Sequence, residues 1–367
     1  MRIATFNAEN LFSRPVVMSY ETNAQGQPFL DDFQRLNVLL KKPAYTEAVK
    51  DDIEALVDKY KLMDRRAKHD KLILREIRGK LWTQHNDGTR TWTAAGSGDF
   101  LGWVDLVRDT IDDQAMKNTA RVIAEVNADI QVLVEIEDRV TLQRFHDDLL
   151  VPQLKSLNRE PYPHVLLMDG NDPRGIDVAL LSRVPVRSMK TNVELRNNND
   201  NPLFPRDCAQ FSCELAGGQQ LIIFANHFSS KGSDKTGKRR KEQAEKVREL
   251  VEEALKSTSN VVVAGDMNEP PVDGHLSPLL NYSELKDAMA MQAYPEKTTF
   301  PGTYGTGAKS NKLDYLLLSK PLQSKTATVG VERRGYYSKK WKPFDTVTDK
   351  RTQASDHHCV WVDLNVQ

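Results

Sequence analysis

Val261-Val262-Val263-Ala264-Gly265-Asp266-Met267-Asn268-Glu269-Pro270-Pro271 is the stretch on which the reading of the fold turns. Four apolar residues in a row, three of them β-branched, describe a fully buried strand. Pro270 and Pro271 stop it at once. Alternate residues of a strand share a face, so this one is expected to deliver Asp266 and Asn268 to the same side. A carboxylate beside a carboxamide suits phosphoryl chemistry: the first orients or deprotonates water, and the second donates hydrogen bonds to a phosphoryl oxygen. The plainer alternative is an Asx turn that caps the strand end.

Outward from this strand, helix and strand alternate from residue 113 onward. Helices are expected over 113–127, 140–157 and 236–256. Strands are expected over 129–136, 165–168, 176–181, 208–215, 219–228, 313–318 and 359–366, and an opening strand over 2–7. Hairpins outnumber helical crossovers, which favours a layered α/β sandwich over a parallel doubly wound sheet.

Residues 13–117 read differently, as an insertion into a single 367-residue domain. A short helix is expected over 31–42. From 46 to 82 the apolar residues recur at alternating intervals of four and three, from Val49, Ile53 and Leu56 to Leu74, Ile77 and Leu81. That spacing predicts a long amphipathic helix or a helical hairpin. Lys59, Lys61, Arg65, Arg66, Lys68, Lys71, Arg75, Arg78 and Lys80 lie on its polar side, either as a solvated face or as a basic ridge for a phosphate backbone. Asn86-Asp87-Gly88-Thr89 marks a turn between strand-like pieces carrying Trp82 and Trp92.

Lysine plus arginine balance aspartate plus glutamate at 51 each. There is no global attraction to a polyanion, so any such attraction must be local or come from metal. Cys208, Cys213 and Cys359 are too few for a disulfide framework and read as buried reduced thiols. No apolar run approaches the ~18 residues of a membrane span. The N-terminus reads as a strand start and not as a secretory signal, so a cytoplasmic location is expected.

Polar clusters sit where strands are expected to end: Asn7 with Glu9, Glu135 with Glu137, Asn226-His227, Asp266 with Asn268, and Ser355-Asp356-His357. Glu135 at the end of a buried strand is a reasonable ligand for a hard cation. Asp314 is acidic in an otherwise apolar strand, where an unpartnered acid is costly. A histidine would satisfy it, and the acid would fix that histidine's tautomer. His227 and Lys231 stand where they can meet an anionic oxygen, and Arg206 and Asp177 are further candidates.

Taken in order, these motifs resemble the endonuclease/exonuclease/phosphatase superfamily. Phe6-Asn7-Ala8-Glu9 resembles its first strand end, and Ala128-Asp129-Ile130 through Glu135 its strand ending in a metal-binding glutamate. Asn226-His227, Gly265-Asp266-Met267-Asn268, Leu313-Asp314-Tyr315 and Ser355-Asp356-His357 follow in the family's order. Val134-Glu135 departs from the common Gln-Glu, and Glu137 stands where several nucleases carry a basic residue. The resemblance implies a four-layer α/β/β/α sandwich of two mixed sheets flanked by helices, with a helical insertion after the first strand. It implies hydrolysis of a phosphoester by in-line attack of water, with Mg²⁺ or Mn²⁺ on Glu135, Glu9 and Asp356. His357, Asp266, Asn268, Asp314, His227 and Asn7 would be catalytic. Lys231, Arg206, Asp177 and Arg240 would contact substrate. A nucleic acid is the expected substrate, on the strength of the ridge near Arg65–Lys80 and of the cluster Lys231, Lys235, Lys238, Arg239, Arg240 and Lys241. A small-molecule or lipid-headgroup phosphoester is the alternative.

Overall fold

The computed structural model of the protein describes residues 1–11, 23–64, 70–85, 87–108, 114–172, 175–296 and 298–366. They pack as two units, Met1–Phe12 with Ile111–Gln367, and Ser13–Thr110. The chain opens on β1 (Arg2–Leu11). The smaller unit follows, with α1 (Asn23–Leu40), α2 (Glu47–Lys59), β2 (Leu72–Arg78), β3 (Trp82–Gln84), β4 (Arg90–Trp92) and β5 (Leu101–Leu106).

The smaller unit corrects the helical expectation for 46–82. Among the described residues of that segment, only Glu47–Lys59 is helical. Lys61 then takes a left-handed conformation (φ 51°), which no helix continues through. Leu72–Arg78 becomes a strand because it pairs antiparallel with the distant β5, Leu74 opposite Val104. Long-range hydrogen bonding here overrides local spacing. Leu72 and Leu81 reach the core that Ile53, Leu56, Trp82 and Phe100 share, with Leu74 half-buried against it, but Ile77, expected inward, is 62% exposed. The hairpin at 82–92 forms as read, with Trp82 opposite Trp92 and their rings 5.0 Å apart; Asn86 lies outside the described residues. On the open edge of β5, the Asn37 amide donates to Val104 O and accepts from Val104 N, both at 2.9 Å. A side chain thus stands in for a neighbouring strand.

The basic ridge is interrupted over part of its length, while Lys61, Arg78 and Lys80 are exposed with no ion pair among the described residues. Lys59 pairs with Asp32 at 2.6 Å, Lys71 with Asp70 at 2.8 Å and Arg75 with Asp105 at 3.0 Å. Carboxylates break the surface up; Arg65, Arg66 and Lys68 lie outside the described residues.

The larger unit continues with α3 (Gln114–Val126), β6 (Ile130–Ile136), α4 (Arg139–Phe145), α5 (Val151–Ser156), β7 (His164–Met168) and β8 (Asp177–Ser182). Next come β9 (Val186–Lys190), β10 (Cys208–Glu214), β11 (Gln220–His227), α6 (Lys238–Ala254), β12 (Asn260–Asp266) and α7 (Ser277–Leu280). The last elements are β13 (Leu285–Asp287), β14 (Asp314–Ser319), α8 (Lys320–Ser324), β15 (Thr326–Glu332) and β16 (Cys359–Leu364). One sheet runs β15-β16-β1-β6-β8-β7 and the other β13-β14-β12-β11-β10-β9. Both are mixed: β1 is parallel to β6 but antiparallel to β16, and β12 is parallel to β11 but antiparallel to β14.

Strand alternation builds the layers. Ile3, Val132, Val178, Ala225, Val262 and Leu316 fill the space between the sheets. Ala4, Leu133 and Ala179 point outward against α3, α4 and α5 through Ile123, Leu142 and Leu154. Phe224, Val261 and Val263 point outward against α6 through Ala244, Val247 and Val251. This is the four-layer sandwich. Each such Val or Leu contributes about 1.5–3 kcal/mol by leaving water. Burial raises the thiol of Cys213 to about 12 and that of Cys208 well above its usual value. The two lie five residues apart on β10, hence on opposite faces, and all three cysteines are free and buried.

Candidate active site

Register brings the polar strand ends to one rim. His227 lies opposite Asp266, and Asp266 opposite Asp314, so three side chains from three strands meet at the end of the second sheet. Gly265 makes this possible. Its φ is 134°, and a Cβ there would sit 1.9 Å from Asn226 O. From the first sheet, β1 supplies Asn7 opposite Val134, next to Glu135.

Asn7 joins the sheets. Its amide donates to Glu135 Oε1 at 3.2 Å and to Asp266 Oδ2 at 3.1 Å. Its carbonyl oxygen accepts from Glu9 N at 2.9 Å. The triplet before β16 is bolted to the same strand. Ser355 Oγ donates to Asn7 O at 2.7 Å and accepts from His357 N at 2.9 Å, while Asp356 N donates to Glu9 Oε2 at 2.7 Å.

His357 Nδ1 bonds Asp314 Oδ2 at 2.8 Å, the pairing the sequence suggested. Its Nε2 lies 3.8 Å from Asp266 Oδ2 and 3.9 Å from Asp356 Oδ1. Thr303 Oγ1 donates to the same Asp314 oxygen at 2.7 Å and accepts from Leu313 N and Asp314 N. Burial, and then the Asp314 and Glu135 charges, raise the Asp266 carboxyl against the opposing pull of His357 and the Asn268 N–H. Burial works against a charged His357, but Asp314 and then Asp266 outweigh it and raise the imidazole well above its ordinary value. Among the described residues, Asp266, Asp314 and His357 form a buried group whose donor atoms all lie within 4.8 Å of one another. Glu9, Glu135 and Asp356 do not form such a cluster among those residues. They stand as Glu9 beside Asp356 and Glu135 beside Asn7. Burial and then the Asp356 charge raise the Glu9 carboxyl.

His227 Nε2 lies 3.8 Å from both Glu135 Oε1 and Asp266 Oδ2. Asn268 reaches the rim by a route the alternation argument did not foresee. The strand ends at Asp266, and Asn268 N donates to Asp266 Oδ1 at 2.8 Å in an Asx turn, with Asn268 left-handed at φ 52°. Its amide then donates to Phe228 O at 3.1 Å and to Asp266 Oδ2 at 3.3 Å. The turn and the site are therefore one structure. Glu9 and Glu135 are left-handed too, at φ 50° and 65°.

The expected substrate contacts divide. Lys231 is exposed and holds Asp273 at 2.6 Å. Asp177 opens β8 and is buried, its Oδ1 accepting from Gly170 N at 2.7 Å; burial raises its carboxyl to about 6. Arg206 is buried on Asp172 at 3.0 Å and on Phe228 O at 2.8 Å. Arg240 leaves the surface cluster altogether. It is 2% exposed, its Nε donates to Glu269 Oε2 at 2.6 Å, and Nη1 donates to Ser229 O at 3.2 Å. The other Glu269 oxygen bonds His275 Nδ1. Helix pitch puts Arg240 on the inner face of α6 with Ala244 and Val247, which a count of charges cannot see. Sequence reasoning also passed over Thr303 and Tyr304. The Tyr304 ring lies 5.0 Å from the His357 ring, and the Asp356 charge, then burial, push its hydroxyl to about 12. Burial and then Asp356 and Glu9 raise the Tyr336 hydroxyl as well. The isolated bridge between Tyr304 and His357 that places the first of these spans a loop, and no local pattern marks it.

A model of the endonuclease/exonuclease/phosphatase family matches residues 108–345, and the chain belongs to that family of hydrolases acting on phosphoester bonds. Solved structures similar to it include truncated TDP2 from Caenorhabditis elegans, 19% identical, with TM-score 0.48 over 69% of this chain and 92% of that one. The human Nocturnin catalytic domain with bound sulfate is 15% identical, with TM-score 0.47 over 68% of this chain and 87% of that one. A mannosyl-6-phosphatase from Bacteroides thetaiotaomicron is 15% identical, with TM-score 0.48 over 68% and 90%. No curated protein matches the chain. No helix among the described residues is long and apolar enough to cross a membrane.

Proposed function

We propose that the protein is a divalent-metal-dependent phosphodiesterase that cleaves DNA or RNA. The observation that carries this reading is the convergence of Asn7, Glu135, His227, Asn268 and His357 on the buried Asp266. Asp266 is the base: its raised carboxyl accepts a proton from the attacking water. His357 is charged at neutral pH because Asp314 and Asp266 hold its proton, so it serves as a donor from Nε2 and not as the base. As the new P–O bond forms and the ester P–O bond breaks in line, charge builds on the phosphoryl oxygens. Asn7, His227, Asn268 and His357 offer donors to that charge. The leaving oxygen takes its proton from solvent.

The donor set suits a hard divalent cation. Glu9 and Asp356 are neighbouring carboxylates, and the Glu9 carboxyl is raised first by burial and then by the Asp356 charge, both costs that a cation would relieve. Glu135, Glu9 and Asp356 are the residues we assign to Mg²⁺ or Mn²⁺. When bound, the ion supplies neutralisation of phosphoryl charge. Asp314 is already committed to His357 and Thr303, which favours the Asp266–Asp314–His357 group as the proton-handling unit.

The test is degradation of plasmid, single-stranded DNA and RNA with Mg²⁺ or Mn²⁺, beside a panel of phosphomonoesters and lipids. Metal-dependent loss of nucleic acid is expected. Turnover of a small phosphoester with none of nucleic acid would overturn the nuclease reading. It would favour a small-molecule or lipid-headgroup phosphatase instead. One observation leans that way: Lys231, Lys238 and Lys241 pair with Asp273, Glu242 and Glu245, which leaves Lys235 and Arg239 as the cations of the Lys231–Lys241 cluster with no ion pair among the described residues.

A further inference from the structure

Between Glu332 and Asp345 the sequence Arg333-Arg334-Gly335-Tyr336-Tyr337-Ser338-Lys339-Lys340-Trp341-Lys342-Pro343-Phe344 holds five cations and no anion. In a chain whose charges balance, this is a local excess. Its lysines differ from Lys238, Lys241 and Lys246 of α6, which pair with Glu242, Glu245 and Glu249. Lys339, Lys340 and Lys342 are all exposed, and none has an ion-pair partner among the described residues. Only Lys340 makes a polar contact, from Nζ to Thr306 O at 3.4 Å.

The segment is fixed beside the catalytic histidine. The Tyr336 and Trp341 rings each lie 5.4 Å from the ring of His358, the residue after His357. His358 Nε2 donates to Gly305 O at 2.8 Å, and Gly305 N donates to Asp356 O at 2.8 Å. Trp341 Nε1 donates to Arg333 O at 2.9 Å, which closes the loop on itself. Tyr336 lies in the electrostatic field of Glu9 and Asp356. Tyr337 is 37% exposed, an aromatic ring offered to solvent between a buried aromatic cluster and unpaired lysines. Exposed lysines alternating with an accessible ring suit single-stranded nucleic acid, whose phosphates and unpaired bases are both within reach of one surface. A duplex hides its base faces and a phospholipid surface has none.

We propose that Tyr337–Lys342 is a strand-binding track: Lys339, Lys340 and Lys342 hold phosphates flanking the scissile one, and Tyr337 stacks on a neighbouring base. This rests on the nuclease reading of the site.

The test compares the full-length protein with the variants K339Q/K340Q/K342Q and Tyr337→Ala. Each is assayed with Mn²⁺ on a single-stranded oligonucleotide, on the matching duplex and on bis(p-nitrophenyl) phosphate. The triple variant should lower the ratio of single-strand to small-ester kcat/KM by about tenfold or more. It should also make the plot of log kcat/KM against log salt shallower by about 2, at ~0.7 per lost contact on single strands. Tyr337→Ala should lower the same ratio roughly tenfold with no change in that slope. If the native protein cleaves the oligonucleotide and both variants keep its ratio and slope, the track is refuted and the nuclease reading stands. An equal loss on duplex and single strand refutes the single-strand assignment. If the native protein turns over only the small ester, the nuclease reading fails and the track fails with it.

Discussion

Asp314→Asn keeps the shape of the side chain and removes one charge. Asp314 is 0% exposed, and its Oδ2 accepts from both His357 Nδ1 and Thr303 Oγ1. Thr303 Oγ1 already accepts from two backbone N–H groups, so its own proton must go to Asp314. If the new carbonyl oxygen takes the Oδ2 position, both bonds survive. The amide N–H₂ then falls where Oδ1 has no partner, at a cost to folding of about 1–3 kcal/mol. If the amide turns the other way, an N–H₂ faces His357 Nδ1 and forces the proton onto Nε2 as the neutral tautomer. In either orientation the charge that holds His357 protonated is gone. Loss of His357 as a charged donor to the transition state costs about 3–4 kcal/mol of barrier, roughly 10²–10³-fold in kcat. The assay is kcat on a small phosphodiester at saturating Mn²⁺, with the His357 Cε1–H resonance titrated in both proteins. The titration should move to lower pH in the variant. A kcat within about threefold of the native protein, or an unmoved titration, would refute the reasoning.

Other perturbations have equally definite outcomes. His227→Ala and Asn268→Ala each remove a donor and should lower kcat about a hundredfold or more, ~3 kcal/mol, with melting temperatures close to native for His227→Ala. Gly265→Ala brings a Cβ to 1.9 Å from Asn226 O at a φ of 134°, so thermal unfolding should show a loss of several kcal/mol, about 3 or more. Glu269→Gln removes the closer of the two carboxylates on buried Arg240, leaving Asp234 at 3.6 Å, and should cost about 1–3 kcal/mol in urea unfolding, with part recovered in Glu269→Gln/Arg240→Met. Both His357 and Asp266 have folded-state pKa values above their unfolded ones. The stability they contribute is therefore present at low pH, below ~6.5 for the histidine, and is lost as pH rises through the folded values. Urea midpoints measured against pH should fall less steeply on the alkaline side in His357→Ala than in the native protein. Chelation should abolish turnover, and Glu135→Ala should raise the Mn²⁺ concentration needed for half-maximal rate.

The buried strands were legible because nothing competes with four consecutive apolar residues: β12, β6 and β14 all sit where their composition puts them. In the larger unit the strands missed were β9, β13 and β15, at the sheet edges, whose mostly solvated residues carry no strong alternation; in the smaller unit β2 and β5 were missed. Asp314 with His357 was legible because a lone acid in an apolar strand demands a partner. Thr303, Tyr304 and the Arg240–Glu269 pair were not, because each is defined by a contact across the fold. In the smaller unit the backbone expectation for 72–78 was wrong and the apolar positions held only in part, since Ile77 points to solvent. Leu72 and Leu74 face inward in a strand as they would in a helix, and only the pairing with β5 decides between them.

Glu9, Glu135 and Asn268 all sit at left-handed φ, a conformation that side chains other than glycine adopt at a cost of order 1 kcal/mol each. Three of the residues proposed for the site are thus held where their own backbones resist. Glycine at any of them relaxes that resistance while deleting the group. The site is consequently a place where a search for thermostability and a search for turnover pull in opposite directions. Selection for heat resistance alone would be expected to dismantle it first.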